Sequence, residues 1–294
     1  DFLATNDEDA IEWCRELVSY LPSNNRDKAP RIDTKDSPER ADEGILDIVT
    51  AQSSAPYDMH DVISRIVDDG RFLELQALFA RNLIIGFARI GGDTVGIVAT
   101  NPAVNGGALD YNTCDKQSRF VRFCDAFNVP LVFLVDTPGF LPSKEAETSR
   151  EGLIRHAARA AFAIAEATVP RVVIYVGKCF GTARLALGTL RMGVDDVYAW
   201  PTSQVARIDP LEAVRIIYKR EIAEAADSSA EEQKRLKELL EKYVRFPYHA
   251  GEYLMVEDII DPRRTRSVIY KTLNHLSNRP AIGRPWKKSS LMPR

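Results

Sequence analysis

Asn128-Val129-Pro130-Leu131-Val132-Phe133-Leu134-Val135 and, further on, Thr168-Val169-Pro170-Arg171-Val172-Val173-Ile174-Tyr175-Val176 are two versions of one phrase. In each, a Val-Pro pair leads into a short, unbroken apolar run, 131–135 or 172–176, and the two prolines stand 40 residues apart. Proline cannot donate to a β-ladder, so it belongs at the start of a strand. Short β-branched runs without polar alternation read as parallel strands buried on both faces. Each run follows a helix-like stretch, 115–127 or 152–167, and precedes a glycine-containing loop. Helix, Val-Pro, buried strand and Gly loop, written twice, predict stacked β/α units and an α/β fold.

The first helix, 115–127, turns Phe120, Phe123 and Cys124 inward. The second carries Ala157, Ala158, Ala160, Ala161, Ala163 and Ala165. Such a small-residue surface lets backbones approach closely and predicts a central helix. Upstream, 72–75 and 83–90 are strand-like, Gly91-Gly92-Asp93 is a hairpin turn, and 94–100 is the return strand. A short helix is expected over 58–67 with Val62, Ile63 and Ile66 on one face. Residues 7–20 form an amphipathic pattern through Ile11, Cys14, Leu17 and Val18. Residues 22–44, with Pro22, Pro30 and Pro38, read as a polar extended connector. The division is thus 1–45 for helix and connector, and 46–294 for the main domain. Downstream, 229–243 reads as a charged helix with a Ser229/Glu232 capping box and Leu236, Leu239 and Leu240 facing inward. Asp261-Pro262 opens a helix to about 277. The basic tail 284–294 reads as a strap packed through Trp286.

Of 294 residues, 45% are hydrophobic and 28% charged, enough apolar material for a core. The formal net charge of −3 lacks the basic excess of a nucleic-acid binder. Four scattered cysteines, Cys14, Cys114, Cys124 and Cys179, fit neither a disulfide framework nor a zinc site, so a reduced intracellular setting is expected. No apolar run is long enough to span a bilayer, and no membrane partner is expected. The acidic start lacks an initiator Met, which fits a domain taken from a longer chain.

Several chemistries fail on their motifs. Asp136-Thr137-Pro138-Gly139 imitates a GTPase switch, but no Gly-x4-Gly-Lys-Ser/Thr is present, so it reads as a strand end and a turn. No Gly-x-Ser-x-Gly elbow or Gly-x-Gly-x-x-Gly fingerprint occurs. His156, at the head of the alanine-rich helix, reads as structural. The loop Gly177-Lys178-Cys179-Phe180-Gly181-Thr182-Ala183-Arg184-Leu185 follows a buried strand and leads into a helix, where backbone N–H groups can hold an anion or a developing oxyanion.

One resemblance runs through nearly the whole chain. Glu16-Leu17-Val18-Ser19-Tyr20-Leu21-Pro22-Ser23-Asn24-Asn25, Pro56-Tyr57-Asp58-Met59, Ile66-Val67-Asp68-Asp69-Gly70 and Ile154-Arg155-His156 carry it. So do 119–127, 138–142, 165–170, 198–202, Asp261-Pro262-Arg263 and Arg284-Pro285-Trp286. In order, these resemble the C-terminal half of biotin-dependent acyl-CoA carboxyltransferases of the propionyl-CoA carboxylase beta chain type. The resemblance implies a crotonase-like fold of stacked β-β-α units, with a comparable N-terminal half outside this chain. It implies transfer of a carboxyl group from carboxybiotin to the α-carbon of an acyl-CoA such as propionyl-CoA. The biotin arrives on a separate carrier, since no Met-Lys-Met attachment motif is present. Coenzyme A arrives as part of the substrate. Implied partners are a biotin carboxylase and biotin carrier subunit and further copies of the chain, commonly as a hexamer. The implied setting is cytoplasmic, or the mitochondrial matrix in a eukaryote.

Two loops depart from the family. Where the family writes Lys-Ala-Tyr-Gly-Gly-Ala-Tyr-Asp, this chain has 178–185. The resemblance makes the amides of Thr182 and Ala183 the oxyanion hole, beside Gly181, and puts Leu185 at the position of acyl-chain choice. Thr182 stands for a glycine, and a β-branched residue resists positive φ. Where the family writes Ala-Val-Met-Gly-Ala-Glu-Gly-Ala-Val, this chain has 206–214, which puts Ala206, Ile208 and Asp209 at the substrate. Asp209-Pro210 reads as an N-cap with Pro at N1, completed by Glu212 at N3. An Asp209 carboxylate ~4 Å from a developing enolate would repel it by about 4 kcal/mol at an effective dielectric near 20. The departures leave a second reading open: a diverged relative without biotin chemistry, acting as an acyl-CoA decarboxylase or as a structural subunit beside an active paralogue.

Overall fold

The computed structural model describes residues 2–49, 56–141, 144, 152–244 and 247–278. It begins with helices α1 (Asp7–Ser19), α2 (Ile45–Ile48) and α3 (Met59–Ile66), then strands β1 (Phe72–Leu75), β2 (Leu83–Ile90) and β3 (Asp93–Thr100). Two helix–strand units follow: α4 (Tyr111–Ala126) with β4 (Leu131–Thr137), and α5 (Leu153–Glu166) with β5 (Arg171–Phe180). Next come α6 (Ala183–Ala186), β6 (Asp196–Ala199), β7 (Gln204–Ala206), α7 (Pro210–Ile217), α8 (Lys219–Glu224) and α9 (Ser228–Leu239). The order closes with α10 (Tyr248–Glu252), β8 (Asp258–Ile259) and α11 (Thr265–Leu276).

The strands form one sheet in the order β1-β2-β3-β4-β5-β6-β8, with β7 also paired to β5. β1, β2 and β3 are antiparallel, and the pairs from β3 onward are parallel. The sequence repeat is visible in the register: Leu131 faces Arg171 and Val135 faces Tyr175, each 40 residues on. The unbroken apolar runs are explained by two cores. Leu131, Phe133, Val135, Val173 and Tyr175 pack with α4 and α5, while Val132, Leu134, Val172 and Ile174 pack on the opposite face with α3 and α11. Each such side chain, removed from water, contributes roughly 1.5–3 kcal/mol, so a polar residue in either run would be costly.

Several elements differ from their sequence reading for local reasons. α4 starts at Tyr111, earlier than expected, because Asp110 and Thr113 form a reciprocal cap: each backbone N–H donates to the other's side chain at 2.8 Å. In α5, Ala160 and Ala163 are buried but Ala158 and Ala165 are exposed, so the small-residue face is a stripe. α1 packs through Trp13 and Leu17, and Trp13 stacks on Phe2 at 4.8 Å; Ile11, Cys14 and Val18 are exposed. α9 is capped by Asp227, which accepts from the Ser229 and Ala230 amides at 3.0 Å. Glu232 instead accepts from Arg215, and Leu236, Leu239 and Leu240 are half-buried. The polar connector is tied down by Arg266, which is buried. Its guanidinium pairs with Asp68 at 2.6 Å and donates to the carbonyls of Asp36, Ser37 and Ile66. The strap through Trp286 and the charged insert 143–151, Lys144 excepted, lie outside the described residues.

Candidate functional site

β5 runs four residues past its apolar core, because its two halves have different partners. Val172–Tyr175 pair with β6, and Lys178–Phe180 pair with β7. Gly177-Lys178-Cys179-Phe180, expected as loop, are therefore strand. The turn falls on Gly181, which takes φ +65, and α6 begins two residues later. Thr182 has φ −77 and ψ −16, an ordinary right-handed conformation. The expected conflict between a β-branched residue and positive φ does not arise, because Gly181 alone carries the turn.

The same pairing brings the two departing loops together. Phe180 lies in register with Ala206, and the Gly181 amide donates to the Ala206 carbonyl at 3.2 Å. Among the described residues, the amides of Thr182 and Ala183 have no acceptor. As residues, Thr182 is exposed whereas Ala183 is fully buried. A methyl group added at Gly181 would meet nothing within 4 Å, so the turn borders open space. Leu185 and Ile208, each about two-fifths exposed, present apolar side chains on the two loops.

Asp209 is the N-cap of α7, with Pro210 at N1. Its carboxylate accepts from the amides of Leu211 and Glu212 at 2.9 and 3.3 Å. The charge is thus engaged by the helix it caps, where the dipole favours it. Glu212 does not complete a reciprocal cap as expected; its carboxylate accepts from Arg215 at 3.0 Å.

Beneath the corner, the register of β4 and β5 slips. Val135 faces Tyr175, but Thr137 faces Cys179, so β5 carries two extra residues opposite Asp136. The buried Asp136 carboxylate fills that bulge. It accepts from the Lys178 amide and from the Tyr57 hydroxyl, both at 2.8 Å. Burial pushes its carboxyl above the ordinary range, against the pull of Tyr57 and Lys178. Gly177 is required at this point, since a Cβ there would lie 2.1 Å from Asp136 Oδ2. The sequence reading of Asp136 as a strand end was correct but missed this contact. Cys179 is also fully buried, and burial pushes its thiol up to about 12, which excludes a thiolate nucleophile at neutral pH. His156, buried in α5, has Nδ1 2.8 Å from Asp115. Arg184, to which no role was assigned from sequence, donates only to Met255 Sδ at 3.6 Å among the described residues.

The geometry defines a strand–turn–helix corner whose Thr182 and Ala183 amides have no acceptor among the described residues, beside a second capped loop, on a parallel sheet. A carboxyl transferase domain matches residues 1–292, and the chain belongs to that family. It is 41% identical over 290 residues to a methylmalonyl-CoA decarboxylase subunit alpha from Veillonella parvula, covering 99% of this chain and 55% of that one. It is 39% identical over 292 residues to a propionyl-CoA carboxylase carboxyltransferase subunit from Haloferax mediterranei, covering 99% and 56%. Among solved structures, the hexameric transcarboxylase 12S with methylmalonyl-coenzyme A and methylmalonic acid bound superposes with a TM-score of 0.92. The identity there is 38%, over 100% of this chain and 55% of that one. The geranyl-CoA carboxylase beta subunit of P. aeruginosa gives 0.72 at 25% identity, over 98% and 55%. The fold is crotonase-like, as the resemblance implied. The chain spans about half the length of these relatives. Among the described residues, no helix is long and apolar enough to cross a membrane.

Proposed function

We propose that this chain is the biotin-facing half of an acyl-CoA carboxyltransferase. The whole protein moves a carboxyl group between carboxybiotin and the α-carbon of a short acyl-CoA of the propionyl type. The observation that carries the reading is the Thr182 amide, without an acceptor among the described residues, on an exposed residue next to a turn bordered by open space. Such a corner fits an oxygen that gains negative charge, as the ureido oxygen of biotin does. Bound carboxybiotin would supply the carboxyl group and then the base for the acyl α-carbon. The chain's own work is to hold that oxygen by backbone donors, with no side-chain nucleophile. Removing one donor of an oxyanion hole costs about 10²–10³ in kcat, so the corner is worth a large share of the rate. Leu185 and Ile208 offer apolar surface to the acyl or biotin chain, and Asp209 keeps its charge on its own helix. A carrier-borne biotin, an acyl-CoA-binding half and further copies of the chain are the partners this reading requires.

A second reading is acyl-CoA decarboxylation, favoured by the likeness to the methylmalonyl-CoA decarboxylase subunit of Veillonella parvula. One assay separates the two. The full-length protein is given methylmalonyl-CoA or malonyl-CoA, with and without free biotin or a biotinylated carrier. The expected result is carboxyl transfer to biotin and no CO2 release without it. CO2 release independent of biotin would replace the first reading, and inactivity of a folded oligomer would favour a structural subunit.

A further inference from the structure

The end of β5 has a feature that catalysis by backbone amides makes consequential. A backbone donor has no rotamers with which to correct its aim, so its direction depends on the strand that carries it. That strand carries a two-residue slip between Val135/Tyr175 and Thr137/Cys179, and a bulge of this kind bends the strand that bears it. Only beyond the slip does it pair with β7 and reach Gly181 and Thr182. The slip is filled by one side chain, Asp136. Its backbone is fixed at both ends by Thr100, whose hydroxyl accepts from the Asp136 amide at 2.7 Å and donates to its carbonyl at 2.8 Å. Its carboxylate is fixed by the Lys178 amide on one oxygen and the Tyr57 hydroxyl on the other. Gly177 leaves the room that this carboxylate occupies.

We propose that Asp136 is a positioning residue for the oxyanion corner: held by Thr100 and Tyr57, its buried carboxylate fixes the bulge at Gly177 and Lys178 and so sets the direction of the Thr182 amide. This rests on the reading of the corner given above. Asp136 lies beneath the corner and acts through β5, without touching substrate. What the site needs from it is an acceptor at the Lys178 amide and the volume of a planar group; a carboxamide supplies both. The Tyr57 hydroxyl can then accept from the new amide instead of donating.

The test uses the full-length protein with Asp136→Ala, Asp136→Asn, Tyr57→Phe and Gly177→Ala. Two readouts are taken: steady-state carboxyl transfer, and hydrogen exchange of the backbone amides at 178–183. Asp136→Ala is expected to lower kcat by about 100-fold with KM for the acyl-CoA within about threefold, since an amide that strengthens its bond only in the transition state affects kcat. Asp136→Asn is expected to recover to within about tenfold of the parent, Gly177→Ala to match Asp136→Ala, and Tyr57→Phe to lose about three- to tenfold. Exchange at 178–183 is expected to quicken by about tenfold or more in Asp136→Ala, with exchange in α4 unchanged. Transfer by folded Asp136→Ala and Gly177→Ala within about threefold of the parent overturns the proposal. So does Asp136→Asn failing as badly as Asp136→Ala, which would mean that charge matters and position does not. If the parent protein transfers nothing, the corner reading fails. The exchange data still decide on the bracket, and unchanged exchange at 178–183 would end it.

Discussion

The units α4–β4 and α5–β5 start alike and end differently. Both enter the sheet through Val-Pro and run in register for five residues, Leu131 to Val135 against Arg171 to Tyr175. Beyond that point, the first strand closes its corner on itself. The Gly139 amide donates to Thr137 Oγ1, its carbonyl accepts from Leu109, and the Leu141 amide donates to the Leu109 carbonyl. The second strand takes a bulge, changes partner from β6 to β7, and arrives at a corner whose Thr182 amide has no acceptor among the described residues. One repeat closes its corner with its own hydrogen bonds, and the other leaves amides without acceptors among the described residues. The difference lies in two inserted residues and one carboxylate.

Glycine substitutions probe that difference most strongly. Gly177→Ala places a methyl against the Asp136 carboxylate at 2.1 Å, where neither backbone nor buried side chain can yield easily. A loss of about 1–3 kcal/mol is expected from overpacking, read as a shift in the denaturant midpoint. Gly181→Ala meets no steric neighbour but must hold φ +65. Its expected loss is about 1–2 kcal/mol, from conformation alone. Equal and negligible losses at the two positions would erase the contrast between a filled bulge and an open corner.

A smaller effect lies at the start of α3. There His60 sits between Glu74 at 2.9 Å and Asp58 at 2.6 Å. The hydrogen bond to Glu74 leads in raising its pKa to about 9, opposed by burial and aided by Asp58. A raised folded-state pKa stabilises the protein fully below the unfolded value near 6.5, and this stabilisation is lost as pH rises through about 9. Urea titrations across that window should show a decline that His60→Gln flattens. An identical slope in the variant would place the pH dependence elsewhere. The smallest effect belongs to Thr182→Gly. At φ −77 the threonine is unstrained, so stability and transfer should stay close to those of the parent, within about 0.5 kcal/mol. A marked gain in transfer would mean that the threonine side chain hinders the corner despite its ordinary backbone.

The sheet was legible because buried parallel strands write continuous apolar runs, and the 40-residue spacing of Pro130 and Pro170 equals the offset between paired residues of β4 and β5. The bulge was also present in the text. The prolines are 40 residues apart, but the glycines that end the two strands, Gly139 and Gly181, are 42 apart. Two residues had to be accommodated between them, and Gly177 marks where. That reading was missed because Asp136 in a Pro-Gly context is satisfied by a turn, and nothing local says that its carboxylate is buried. The outward face of α1 was misread for a related reason. Periodicity reports that Ile11, Cys14 and Val18 share a side, but only packing decides that Trp13 and Leu17 are the anchors. At Asp209 the sequence named the cap correctly, and the structure supplied where the charge goes.

If the corner at Gly181 is the site, it binds an oxygen while the corner at Gly139 does not. The most direct measurement is residue-level hydrogen exchange of the full-length protein, with and without a biotinylated carrier, at 181–184 and at 138–141. Exchange is expected to slow at Thr182 on carrier binding and to stay unchanged at the first corner. Equal protection at both, or protection at neither while the carrier is bound, would contradict that reading of the corner.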